Sequence, residues 1–209
     1  MYVPGPRATE GTDPVNKKLA AALSGGAVLA LALSGCSSGD ETNDKLNSWA
    51  KQVCDDVQPQ IKKIAAANAS IQKETSDDSA PADVQKADSQ GFQDISDAYK
   101  AMATAIQQAG APNVDDGDKK QKAAVAELNQ LSTAYAELKK KSDALNTKDQ
   151  AKFADGLEGV ATELEKLSKT GSNALKELEK GEVGQAMAEQ PSCKSATSSV
   201  SVSAGATQS

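Results

Sequence analysis

The sequence predicts an all-α domain, an antiparallel four-helix bundle with long helices that is closed by one disulfide. Apolar residues recur at alternating steps of three and four along four long segments, and no segment requires a strand. The connections between these segments are short and polar. Short connections make consecutive helices antiparallel neighbours, and one narrow apolar stripe on each helix favours coiled-coil-like packing around a shared core.

Each of the four segments also carries local signals of its helix. In the first, Pro59 predicts a kink or a change of phase. In the second, apolar residues run from Phe92 to Ile106 at helical spacing, and Gly110 is typical of a C-terminal stop. Thr147 begins a pattern that resembles a capping box at the start of the fourth. The predicted bounds are 44–71, 81–109, 118–146 and 147–181, followed by a short helix over 182–189.

The first 36 residues have the order of an export signal. Lys17 and Lys18 form a positive n-region, and residues 19–33 form an apolar segment of 15 residues, which is shorter than the roughly 20 residues of a transmembrane helix. The sequence Leu-Ser-Gly-Cys that ends at Cys36 looks like a bacterial lipobox. We expect cleavage between Gly35 and Cys36 and a diacylglyceryl thioether on the Cys36 sulfur, which would anchor the chain stably in a membrane.

Two alternatives at this end of the chain stay open from the residues alone. Residues 19–33 could form an uncleaved signal anchor, with Cys36 an ordinary buried thiol. Residues 1–14 contain two acidic residues and three prolines, whereas a secretory n-region is short and basic. We therefore expect translation to start at Val15, with Met1 as the alternative start, and the mature protein is the same in both cases.

The expected organisation is a signal peptide over 1–35, a lipidated tether over 36–43, a helical domain over 44–193 and a disordered Ser/Ala-rich tail over 194–209. Removal of 35 residues from 209 leaves 174, enough for one domain with its own core. The signal peptide carries one net positive charge, so the remainder carries −7 against −6 for the whole chain. This acidic balance argues against nucleic acid as a partner.

The other two cysteines, Cys54 and Cys193, form an even pair in a chain expected to be exported, where disulfides persist. In an up-down-up-down bundle the end of the fourth helix returns to the start of the first, which brings Cys193 toward Cys54. We expect these two residues to form a disulfide. Free or redox-active thiols are the alternative.

The composition argues against most enzyme chemistry. The chain contains no histidine, which removes Ser-His and Cys-His nucleophile pairs and His-based zinc sites. The acidic residues from Asp115 to Asp118 lack the ligand spacing of a calcium loop. The sequence therefore predicts no catalytic residue, no metal and no cofactor, and a protein that is not an enzyme. Trp49 fits either the core or the edge of the bundle.

Four stretches of the chain resemble one group of proteins. They are residues 15–36, Val-Cys-Asp-Asp-Val-Gln-Pro-Gln at 53–60, Phe-Gln-Asp-Ile-Ser-Asp-Ala-Tyr at 92–99, and Pro-Ser-Cys-Lys at 191–194. They look like the largely uncharacterised small secreted lipoproteins of high-GC Gram-positive bacteria, and the resemblance covers nearly the whole mature chain. It implies the outer face of the cytoplasmic membrane as the location and implies no particular activity, while residues 1–14 depart from the pattern.

Two classes of function fit these observations. The first is a non-enzymatic lipoprotein, attached to the membrane through lipid on Cys36, whose helical domain binds an envelope protein or acts as a structural spacer. The second is a carrier or sensor that holds a small ligand in a pocket between helices. The first class is favoured, because no residue pattern indicates a ligand site.

Overall fold

The computed structural model describes residues 38–75, 79–170 and 173–194, and these residues form helices joined by turns, with no strand. The all-α prediction is therefore confirmed for this part of the chain. The predicted signal peptide over 1–35, Cys36 and the tail beyond residue 194 lie outside the described residues. The helices are α1 (Ser38–Glu74), α2 (Pro81–Ala109), α3 (Gly117–Asp143), α4 (Gln150–Thr170), α5 (Asn173–Leu178) and α6 (Glu182–Glu189).

Helix α1 begins at Ser38, six residues before the predicted start. Residues 41–45 are exposed and Leu46, which follows them, is buried, so the apolar stripe carries no information about residues 41–45. An acidic side chain such as Glu41 is favourable there, because the helix dipole places partial positive charge at the N-terminus. The stretch 36–43, predicted as a polar tether, is therefore helical from Ser38 onward.

Helix α2 packs against both α1 and α3 and contains more buried residues than any other described helix. Pro81 occupies its first turn, where a missing N–H costs nothing. Gly110 follows its last residue with a φ of +76°, a conformation that favours glycine. A Cβ on Gly91 would lie 2.5 Å from Ile71 Cδ1, so the missing side chain at Gly91 allows α1 and α2 to approach closely.

A tight turn precedes α3 and depends on a glycine. The Gly117 N–H donates to the Val114 carbonyl oxygen at 3.0 Å, and Asp116 adopts a left-handed φ of +58°. A Cβ on Gly117 would lie 2.0 Å from the Pro112 carbonyl oxygen. No other residue fits this turn without a shift of the backbone.

Polar side chains join α2 to α3 along their length. Gln85 Nε2, near the start of α2, lies 3.0 Å from the carbonyl oxygens of both Ser142 and Leu145 at the end of α3, where helix carbonyls lack intrahelical partners. In the middle, Ser96 Oγ donates to the Ser132 carbonyl oxygen at 2.7 Å. Further bonds of this kind join Lys100 to Asn129 and Gln121 to Ile106.

Residues 147–181 were predicted to form one long helix, and within this range the structure describes two helices, α4 and α5. The short helix predicted over 182–189 is present as α6. Phe153 and Val160 are buried on α4, Leu178 on α5, and Val183 on α6. Gly181 has a φ of +67° and allows the chain to change direction between α5 and α6. None of the described helices combines the length and the apolar character needed to cross a membrane.

Buried apolar side chains form two clusters. The first combines residues of α1, α2, α3, α5 and α6, and we call it the disulfide-end cluster. The second combines residues of α2, α3 and α4 with Ile71 of α1, and we call it the far cluster. The disulfide-end cluster contains Leu46, Trp49, Ala50, Val53, Met102, Ala103, Ile106, Ala124, Leu128, Leu178, Val183 and Ala186. The far cluster contains Phe92, Leu138 and Val160, with Ile71, Tyr135, Leu164 and Leu167 packed against it.

The turn before α3 provides a test of this packing with a matched glycine control. Gly117→Ala should lower the free energy of unfolding by about 2 kcal/mol, because its Cβ would overlap a backbone carbonyl. Gly159→Ala should raise it by up to about 1 kcal/mol, because Gly159 lies within α4 and no atom lies within 4 Å of the position that its Cβ would take. Urea unfolding followed by circular dichroism measures both, and equal effects at the two sites would contradict the described turn.

Candidate functional site

The candidate site is the end of the domain where α1, α6 and the last described residues meet. Cys54 on α1 is bonded to Cys193, with a Cα–Cα distance of 5.1 Å, and the bond closes a span of 139 residues. Cys54 is fully buried. Its sulfur lies 3.9 Å from the Met187 carbonyl oxygen, a packing contact because a disulfide sulfur carries no proton. The predicted pairing of Cys54 with Cys193 is confirmed.

A polar cluster covers the outside of the disulfide. Asp55, next to Cys54, accepts hydrogen bonds from Lys51 Nζ and from Ser192 Oγ, both at 2.5 Å. The bond from Lys51, and then that from Ser192, lower the pKa of the Asp55 carboxyl below its usual value. Because Asp55 is exposed to solvent, these contacts fix local geometry more than they stabilise the fold.

Trp49 lies in the core of the same end. Its side chain is 6% exposed, and its Nε1–H donates to the Gly110 carbonyl oxygen at 2.8 Å. A buried indole N–H requires a partner, and the carbonyl group after the end of α2 supplies it. Trp49 was expected either in the core or at the edge of the bundle, and the structure places it in the core. The spacing to Leu46 and Val53 favoured this result, whereas nothing in the sequence indicated Gly110 as the partner.

The predicted lipidation and cleavage residues, Cys36 and Gly35, lie outside the described residues. The described chain begins two residues after Cys36, with Ser38 at the start of α1. Cys54 is 16 residues further along the same helix, which corresponds to about 24 Å at the α-helical rise. The disulfide therefore fastens the last described residues to the helix that begins at Ser38.

The described residues bring together few groups with reactive chemistry. No cluster of three or more Cys, Asp or Glu side chains in this part of the chain is placed to hold a metal ion. Asp115 and Asp116 are exposed in the turn before α3. Among the described residues, one surface depression around Gln85 and Asp143 and another around Asn129 and Thr133 are open to solvent.

Buried polar residues are the feature that the sequence interpretation missed. Ser142 is fully buried, and its backbone and side chain contact Gln85. Asp88 is 6% exposed, and burial raises the pKa of its carboxyl to about 6. Its spacing from Val84 and Phe92, four residues on either side, was a signal that could have placed Asp88 on the buried face of α2.

Aromatic residues between the two clusters pack against one another. The rings of Tyr99 on α2 and Tyr135 on α3 are stacked with centroids 5.6 Å apart, and Phe92 lies 6.2 Å from Tyr135. Burial, with a smaller contribution from Tyr135, raises the pKa of Tyr99 to about 12. Phe92 is buried and the two tyrosines are half-buried, so these rings join α2 to α3.

Comparison with known proteins adds no further constraint. No protein-family model, curated protein or solved structure matches the chain. Its function is therefore inferred from its own residues and from the geometry described above.

Removal of the disulfide should destabilise the domain without changing its helical content. In the chain-entropy model a loop of this length contributes about 5 kcal/mol, so Cys54→Ala with Cys193→Ala should lower the free energy of unfolding by about 3–5 kcal/mol. Urea unfolding followed by Trp49 fluorescence measures the change. The unsubstituted chain with reductant is the control and should show the same loss, and unchanged stability in both would contradict the structural role of the bond.

Proposed function

We propose that the protein is a membrane-anchored extracytoplasmic lipoprotein, held by lipid on Cys36, whose helical domain binds another envelope protein or acts as a structural spacer. The observation that carries this proposal is the Cys54–Cys193 bond. Disulfides persist in oxidising compartments outside the cytoplasm. Because the chain has three cysteines, the bond leaves Cys36, at the end of the lipobox-like sequence, as the remaining thiol.

We also propose that the domain is an antiparallel four-helix bundle, with α4 to α6 together forming the fourth member. Its support is that the start of α2 contacts the end of α3, through Gln85 and Ser142, while Gln121 near the start of α3 bonds to Ile106 near the end of α2. In the same way Trp49, near the start of α1, bonds to Gly110 after α2. The far cluster contains side chains from α1, α2, α3 and α4, as expected of four helices around one core.

The proposed anchor at Cys36 lies two residues before the start of α1. An extended tether over 36–43 would allow the domain to move up to roughly 25 Å from the membrane. With α1 helical from Ser38, the eight residues before Leu46 correspond to a helical stalk of about 12 Å. The disulfide end of the domain would then stand close to the membrane, and the end near Asp88 would be the part presented to a partner.

The carrier alternative requires a pocket enclosed between helices. Two surface depressions among the described residues are open to solvent, and the rings of Tyr99, Tyr135 and Phe92 pack against one another between α2 and α3. This packing favours a role carried out by the outer surface of the domain. Capture of envelope proteins by the lipid-bearing chain, compared with native mass spectrometry for a retained small molecule, distinguishes the two functions.

The anchor is tested by replacing its cysteine in the full chain. Cys36→Ser should abolish incorporation of labelled palmitate and move the protein from the membrane fraction to the soluble exported fraction, because serine cannot form the thioether. The matched control is Cys54→Ser with Cys193→Ser, which should keep the label. Label retained by Cys36→Ser, or lost only in the double variant, would contradict lipidation at Cys36.

A further inference from the structure

Helix α4 is held in the domain by fewer buried side chains than the other long helices. Between residues 150 and 168 two side chains are buried, those of Phe153 and Val160, and three are half-buried apolar groups, those of Leu157, Leu164 and Leu167. Helices α1, α2 and α3 each contain at least six buried residues. In the described part of the chain, the backbone of α4 lies close to that of α3 and makes no comparable approach to α1 or α2. Because local stability increases with the number of buried contacts, α4 is the long helix that undocks most easily.

The ion pair between α4 and α3 adds little to this docking. Lys141 Nζ lies 3.0 Å from Glu163 Oε1, and the two side chains are 50% and 37% exposed. An ion pair in contact with solvent contributes little to stability, because water screens the attraction and the long side chains lose freedom. The docking of α4 therefore depends mainly on its few apolar contacts.

The sequence of α4 gives the helix little stability of its own. Gly156 and Gly159 lie within it, and each is less favourable in a helix than alanine. Gly156 has a packing reason, because a Cβ there would lie 2.4 Å from Leu145 Cδ2, whereas no atom lies within 4 Å of a Cβ on Gly159. Since most of the stability of a helix in a protein comes from tertiary packing, α4 should unfold when it loses its contacts with the domain.

The chain is held on both sides of α4. Before it, the Leu145 carbonyl oxygen accepts a hydrogen bond from Gln85 Nε2 of α2 at 3.0 Å. After it, Leu178 of α5 is buried in the disulfide-end cluster, and the disulfide fastens the residues that follow α6 to α1. Helix α4 can therefore leave its place without releasing the helices that precede and follow it.

Helix α4 covers part of the far cluster. Val160 packs there with Phe92 of α2 and Leu138 of α3, both of which are 2% exposed. In the part of the chain that the structure describes, each Leu, Ile, Val, Met, Phe, Tyr and Trp side chain is buried or half-buried. The closed domain thus keeps its large apolar side chains from full contact with solvent, and undocking of α4 would uncover two of the most buried ones.

We propose that α4 is a cover that opens locally by unfolding, while α1, α2, α3 and the disulfide end stay folded. Phe92 and Leu138 lose their contact with Val160 when it opens, so the domain then presents an apolar surface that is hidden in the closed state. The opening is a property of the folded domain and requires neither the proposed lipid at Cys36 nor a bound partner.

The test is amide hydrogen exchange of the full chain in detergent, under conditions in which the exchange rate reports the opening equilibrium. Amides of residues 154–166 in α4 should be protected about a hundredfold less than amides of residues 95–106 in α2, because the latter exchange only when the whole domain unfolds. Equal protection of the two segments would overturn the proposal.

Two matched variants separate local opening from global unfolding, since Val53 and Val160 are 1% and 4% exposed. Val53→Ala weakens the disulfide-end cluster, which stays folded when α4 opens, so it should lower the protection of α2 about tenfold and leave that of α4 unchanged. Val160→Ala removes a contact of α4 itself and should lower the protection of both helices about tenfold. An equal loss in α4 and α2 with Val53→Ala, or unchanged protection of α4 with Val160→Ala, would contradict local opening.

Discussion

The burial of α2 on two sides is the constraint on which the rest of the domain depends. A helix that packs against only one neighbour needs a single apolar stripe, but α2 packs against both α1 and α3. Its small residues Gly91, Ala98 and Ala103 are therefore buried beside Phe92 and Ile95. Large side chains at the small positions would separate the helices, and the two apolar clusters could not form at once.

Polar groups inside this packing determine how the helices align. Gln85 satisfies carbonyl groups at the end of α3, and Ser96 bonds to Ser132 in the middle. A shift of α3 by one turn would leave these groups buried without partners, which costs more than the bonds contribute. Apolar contacts thus hold the helices together, whereas the polar contacts select one alignment.

The helices and the disulfide could be predicted from the sequence because both depend on patterns that are visible along the chain. The bounds of α2 and α6 follow from apolar spacing and from the glycines beside them. The start of α1 could not be predicted in this way, since its first turns face solvent and need no apolar residue. Trp49 bonds to a backbone carbonyl group 61 residues away in the sequence, and Gln85 bonds to one 57 residues away. Every residue has a carbonyl group, so the sequence does not indicate which of them is the partner. The proposed lipidation of Cys36 depends on the signal pattern in the sequence alone.

The closed loop between Cys54 and Cys193 also determines what a protease could release. A single cut in any connection between these two residues, such as the turn from Ala111 to Asp116, would leave both fragments joined through the disulfide. Only a cut before Cys54 would free the domain from the proposed lipid at Cys36, and from Ser38 onward the chain there is held in α1. If Cys36 carries the proposed lipid, release of the whole domain would therefore require local unwinding of α1 and a cut there. A nick between Cys54 and Cys193 would release a fragment only after reduction of the bond.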